Sequence, residues 1–117
     1  NRLIPYCMFT DPELGRVGLT EAEAKSQGIN YTVAKLPMKK AARAIVENKM
    51  EGFMKAIVDK DSKKILGASF LCLNAGEIIS VLQMAMEAGF SYEDVKEQMF
   101  AHPTLSESLN NLFFLID

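Results

Sequence analysis

An α+β fold, built on an antiparallel sheet of about four to five strands with helices packed against it, is predicted by three features of this 117-residue chain. Short β-rich segments fill most of the first 71 positions and helical patterns the remainder, the order of an α+β chain and not of a doubly wound one. A polar connector, Lys60-Asp61-Ser62-Lys63-Lys64, joins two apolar runs as a hairpin loop would. Neither a Gly-x-Gly-x-x-Gly turn nor a phosphate loop is present, so no nucleotide cradle is assigned.

The elements follow in order. Ile4–Thr10 is β-rich and ends in turn chemistry at Asp11-Pro12-Glu13-Leu14-Gly15. Thr20-Glu21-Ala22-Glu23 has the pattern of a capping box, predicting a short helix that stops at Gly28. Asn30–Met38 alternates as a strand, with Pro37 pointing to a sheet edge or strand end. Ala41–Val46 reads as a further short strand and Asn48–Gly52 as a turn. Phe53–Asp59 and Ile65–Leu71 are the hairpin strands. A helix from Asn74 to Gly89 is apolar on nearly every face, which calls for burial on more than one side. Ser91-Tyr92-Glu93-Asp94 opens a shorter helix, with Phe90 placed to staple onto Val95. The last helix, 104–116, carries Leu105, Leu109, Leu112, Phe113 and Ile116 on one stripe and leaves Phe114 and Leu115 off it.

Composition bounds the functions. With 49% apolar and 24% charged residues and a net charge of −2, residues 1–117 read as one globular domain, neither disordered nor a disulfide scaffold. No run of 18 apolar residues is present to span a membrane. Cys7 and Cys72 stand 65 positions apart in apolar surroundings and read as two reduced thiols of a cytoplasmic protein, with no redox spacing and no metal-ligand pattern. Residues 35–64 carry nine basic side chains against four acids, but scattered as on a solvated sheet face, so nucleic-acid binding is a minor alternative. Gly15-Arg16-Val17-Gly18 matches the four-residue loop of a KH domain, without the helix that should precede it. The chain begins at Asn1 without Met, which suggests a piece of a longer protein.

One constellation can carry chemistry. His102, the sole histidine, precedes the last helix, and Glu107 stands five residues on. A carboxylate on one ring nitrogen fixes the tautomer and leaves the other nitrogen to exchange a proton. The alternative is structural: Thr104-Leu105-Ser106-Glu107 fits a capping box in which Glu107 only accepts from a backbone amide. Ser106 lacks a nucleophile elbow around it and is not read as a nucleophile.

The run Met99–Phe113, with Ala101-His102-Pro103-Thr104-Leu105-Ser106-Glu107 at its centre, resembles the C-terminal signature of the FAD-dependent pyridine nucleotide–disulfide oxidoreductases, the family of lipoamide dehydrogenase, glutathione reductase and mercuric reductase. Phe9–Glu13, Val17–Ala24, Gly52–Lys55, Ile65–Ala68 and Ala75–Glu77 resemble further parts of its dimerisation domain, so the likeness covers nearly the whole chain. The resemblance implies a homodimer formed through this domain, with FAD and NAD(P)H held by other domains of the parent chain and none bound by this segment alone. It implies that His102 is the base and Glu107 its orienting carboxylate, acting in trans on the partner subunit's redox disulfide. It also implies backbone contact from His102 and Pro103 to the partner's flavin. A structural dimerisation module, with the pair only capping a helix, is the alternative. The chain ends Phe114-Leu115-Ile116-Asp117, without the cysteine pair of mercuric reductases or of high-molecular-weight thioredoxin reductases. The run 106–113 looks most like the branch associated with defence against reactive chlorine and hypothiocyanous acid.

Overall fold

The computed structural model describes residues 5–8, 13–38, 52–72, 74–97 and 108–116. Five strands, β1 (Tyr6–Met8), β2 (Leu14–Gly18), β3 (Tyr31–Pro37), β4 (Phe53–Asp59) and β5 (Ile65–Leu71), form one sheet in the order β1-β2-β5-β4-β3, every neighbour antiparallel. Four helices accompany them among the described residues: α1 (Glu21–Ser26), α2 (Ala75–Glu87), α3 (Tyr92–Lys96) and α4 (Ser108–Phe113). The expected α+β architecture is therefore observed. β3, with Pro37 at its end, lies at the sheet edge, where a missing ladder donor is tolerated. The expected strand over 41–46 and the turn over 48–51 fall outside the described residues.

Leu14–Gly18 corrects the sequence reading, which placed turn chemistry at Leu14 and Gly15 and a loop match at 15–18. These residues form β2, paired to β1 on one side and β5 on the other. Gly15 answers to packing, not to turning. A Cβ on Gly15 would lie 2.9 Å from the Ala75 carbonyl oxygen and 3.1 Å from Ile79 Cγ1, so α2 presses onto β2 only because that side chain is absent. With residues 15–18 in a paired strand, they cannot form a phosphate-clamping loop.

The inner face of the sheet is a row of small residues across four strands: Val17 pairs with Ala68, Ala68 with Ala56, and Ala56 with Ala34. All four are buried, and such a row lets helices sit close to the backbone. Over and around it Met54, Phe70, Ile78, Ile79, Leu82, Leu109, Leu112 and Phe113 close the core. α1 is held by the capping box anticipated from its sequence: Thr20 Oγ1 accepts from Glu23 N at 3.1 Å, and Glu23 Oε1 accepts from Thr20 N at 2.8 Å.

The β4–β5 hairpin turns where expected. The Asp59 carboxylate accepts from the Asp61 amide at 2.8 Å and the Ser62 amide at 3.3 Å, while Lys63 takes a left-handed φ of 64°. This loop is tied to the far end of α2. Tyr92 N donates to the Lys63 carbonyl at 2.9 Å, Lys64 forms a bridge with Ser91, and the Lys64 ammonium donates to the Gly89 carbonyl. The path out of α2 into α3 is thus set by the hairpin.

Candidate functional site

Helix α2 has two unlike sides. Ala75, Ile78, Ile79 and Leu82 face the sheet and are buried. Met84 is 71% exposed, and Phe90, just past the helix end, is 42% exposed. Between α2 and the α3–α4 pair lies an apolar groove of about 390 Å³, lined by Val81, Met84, Ala85, Ala88, Phe90 and Val95 together with the buried Leu82 and Leu109. None of these residues carries a charge. Phe114 and Leu115, after α4, are 63% and 53% exposed, as their place off the apolar stripe anticipated. An apolar groove of this kind with exposed Met84 and Phe90 beside it has the character of an interaction site.

The start of α2 is capped from a distance. Asn74 adopts the left-handed conformation, φ 58°, and its side chain makes no capping bond. The Gly76 amide instead donates to Glu13 Oε1 at 2.7 Å, 63 residues away in sequence. A carboxylate at this end of the helix satisfies an orphan amide and suits the positive end of the helix dipole. Glu13 also anchors the end of β5, its carbonyl accepting from the Cys72 amide at 2.8 Å. No local pattern advertises a cap separated this far, so the sequence reading missed it.

Both cysteines are free thiols gathered near this cap. Cys7 lies against Gly76, where a Cβ would meet its Sγ at 2.8 Å. Burial, then the charge of Glu13, pushes the Cys72 thiol up to about 12. The Cys7 thiol is raised by desolvation, then by the charge of Glu13 and a hydrogen bond to it. Both shifts favour the neutral thiol. No cluster of histidine, cysteine or carboxylate suited to a metal occurs among the described residues.

Among the described residues, the lysines of the basic middle segment are dispersed. Lys55 pairs with Glu21 at 2.8 Å, Lys63 with Glu93 at 3.5 Å, and the Lys35 ammonium sits 4.6 Å from the centre of the Phe53 ring. These lysines do not converge on one phosphate-binding stripe. Arg16 donates through Nε to Ser69 Oγ at 2.9 Å, and its buried Nη2 has no hydrogen-bond partner among the described residues.

His102, Pro103, Ser106 and Glu107 lie outside the described residues. What the structure does place is the frame on either side of them. α3 precedes that connection and α4 follows it. Leu109, Leu112 and Phe113 seat α4 in the core, with the Phe113 ring 6.2 Å from that of Tyr92. Asn110 bonds directly across: its Nδ2 donates to the Val95 carbonyl at 3.0 Å and the Lys96 carbonyl at 2.9 Å.

The frame also bears on cofactors. Dinucleotides bind where a parallel strand feeds a glycine-rich turn into a helix N-terminus. The sheet here is antiparallel throughout, and the chain has no such glycine series. The described residues do not fit a flavin or nicotinamide dinucleotide site.

Residues 4–113 match the profile of the pyridine nucleotide-disulphide oxidoreductase dimerisation domain. The chain belongs to that family. It is 44% identical over 113 residues to the probable pyridine nucleotide-disulfide oxidoreductase RclA of Escherichia coli (strain K12), covering 97% of this chain and 26% of RclA. It is 45% identical over 108 residues to the dihydrolipoyl dehydrogenase of Buchnera aphidicola, covering 92% of this chain and 23% of that enzyme. The solved structure of the HOCl-induced flavoprotein disulfide reductase RclA superposes with a TM-score of 0.97 at 43% identity, over 100% of this chain and 27% of that one. The chain therefore spans about a quarter of the length of the relatives it matches. The likeness to RclA agrees with the branch expected from residues 106–113.

Proposed function

We propose that this dimerisation domain serves a flavin-dependent NAD(P)H disulfide reductase, and that it does two things there. First, it joins two copies of the parent chain through the outer side of α2, the groove beside it and the exposed Phe114 and Leu115. The observation that carries this is the uncharged apolar groove beside α2, with Met84 and Phe90 exposed at it. Second, the connection between α3 and α4 brings His102 and Glu107 to the partner subunit's redox disulfide. There the imidazole takes a proton from one thiol and returns it, keeping a thiolate available for attack, while Glu107 holds the ring and stabilises its charged form. FAD and NAD(P)H belong to the rest of the parent chain, since the described residues offer them no cradle. Residues 1–117 alone carry no turnover in this reading, and the parent works in the cytoplasm as a homodimer.

The test uses the full-length parent protein. His102→Ala should cut disulfide turnover by about 10²-fold or more, the range for losing a positioned general base. Reduction of the bound flavin by NAD(P)H should continue. Glu107→Gln, which retains the acceptor a cap requires, should still lower turnover if the carboxylate orients the imidazole. Unchanged turnover in both variants would leave the pair a purely structural role.

A further inference from the structure

We propose that a second pocket, between the β4–β5 hairpin loop and the chain after α4, binds a small organic anion: a carboxylate with a short aliphatic body. The pocket has a volume of about 450 Å³. That falls in the range of small-molecule pockets, about 300–1,000 Å³, and is far more than one water needs. Val58, Tyr92 and Ile116, all buried, contribute apolar surface to its lining, and Thr32, Lys60 and Lys63 contribute donors. Leu115 also lines it and is shared with the surface proposed above to meet a second copy. None of the other lining residues belongs to that surface.

The polar groups in the lining favour an anion. The Thr32 hydroxyl, the Tyr92 hydroxyl and the Lys60 ammonium have no hydrogen-bond or ion-pair partner among the described residues. The Lys63 ammonium has only Glu93, at 3.5 Å, with both side chains about half exposed, and such a pair is worth little. Asp59 is the one carboxylate in the lining, and its Oδ1 already accepts from the Asp61 and Ser62 amides at 2.8 and 3.3 Å. Two ammoniums and two hydroxyls therefore remain to serve a ligand's oxygens. They also stand on a fixed backbone. Lys60 N donates to the Asn30 carbonyl at 2.8 Å, Lys63 N to the Asp59 carbonyl at 2.8 Å, and Tyr92 N to the Lys63 carbonyl at 2.9 Å. A site held in shape before binding loses little entropy when it is filled. The apolar part of the lining decides the class of anion. Val58 and Ile116 offer nothing to a bare inorganic ion, whereas each methylene buried against them adds up to about fourfold in affinity.

Equilibrium dialysis of radiolabelled hexanoate against the full-length parent protein tests this. Binding should saturate at one hexanoate per protomer with a Kd below about 1 mM. Acetate, which lacks the aliphatic body, and hexanamide, which lacks the charge, should each compete at least about tenfold more weakly. Lys60→Gln should weaken hexanoate about fivefold, and Thr32→Val and Tyr92→Phe about threefold each. The last two preserve side-chain shape, so their loss of binding at an unchanged melting temperature is a loss of donors and not of fold. Lys25→Gln, on α1 and outside the lining, should bind as the parent does. Hexanoate bound undiminished by all three pocket variants would overturn the site. Equal weakening by Lys25→Gln and Lys60→Gln would reduce it to general charge attraction and overturn it too. Acetate or hexanamide competing as well as hexanoate would overturn the ligand class. No saturable binding below about 10 mM would mean that the pocket is covered in the parent or left to water, and the proposal falls.

Discussion

The two sides of α2 put one helix to opposite uses. Towards the sheet, Ala75, Ile78, Ile79 and Leu82 are buried to within 2% of completeness against partners in the same chain. Away from it, Met84, Ala88 and Phe90 are comparably apolar and remain open to solvent. The difference shows that apolar content does not by itself measure a domain's own core. The inner side stabilises the fold, and the outer side is the one proposed above to meet a second copy. The sequence reading of a helix apolar on nearly every face is thereby narrowed: Glu77, Ser80 and Glu87 share the exposed side with Met84.

The sharpest way to break that comparison is to remove one side chain from each side. Leu82→Ala, at a residue with no exposed surface, should cost about 2–5 kcal/mol, the range for deleting a buried leucine. Urea unfolding at fixed protomer concentration would measure it. Met84→Asp should leave the domain's secondary structure intact but weaken self-association of the full-length protein by about a hundredfold, or about 2.7 kcal/mol. Sedimentation across a concentration series reads that directly. If Met84→Asp leaves the dimer untouched, the outer side of α2 is not the seat of dimerisation.

The inner half of this picture was legible in the sequence and part of the frame was not. The hairpin at 60–64, the Thr20–Glu23 capping box and the edge position signalled by Pro37 each depend on residues within a few positions of one another. Local chemistry of that kind survives into the fold. β2 was hidden because Gly15 and Gly18 carry turn chemistry in isolation, whereas Gly15 is glycine on account of a helix 60 residues later. The Glu13 cap and the Asn110 bonds were hidden for the same reason: their partners are 63 and 14 to 15 residues away. His102 and Glu107 were named from their motif and its family resemblance, and the described structure supplies the frame on either side of them.

Glu13 offers an intermediate test, because it touches the inner side of α2 only at one end. Glu13→Ala leaves the Gly76 amide without its acceptor and should cost about 1–2 kcal/mol, as losing a helix cap does. Glu13→Gln keeps a side-chain oxygen and should cost clearly less. Thermal melts of the two variants against the parent separate them. Equal losses would mean that the charge at the helix end, not the hydrogen bond, holds α2 against β2.

The smallest effect is expected on the outer face of the sheet, where Glu21 pairs with Lys55. The hydrogen bond from the Lys55 ammonium, then its charge, then the Tyr31 hydroxyl hold the Glu21 carboxyl below its ordinary 4.5. A carboxyl lowered on folding adds stability above that ordinary value and loses it as pH falls through the lowered one. The two side chains are 43% and 31% exposed, so solvent and salt screen the pair. Lys55→Gln should therefore lower the melting temperature slightly at neutral pH. That difference should shrink as pH falls below 4.5, and it should also shrink in high salt. A difference independent of both pH and salt would mean that Lys55 acts through the packing of its aliphatic stem, and would place it with the buried side of α2 in kind if not in size.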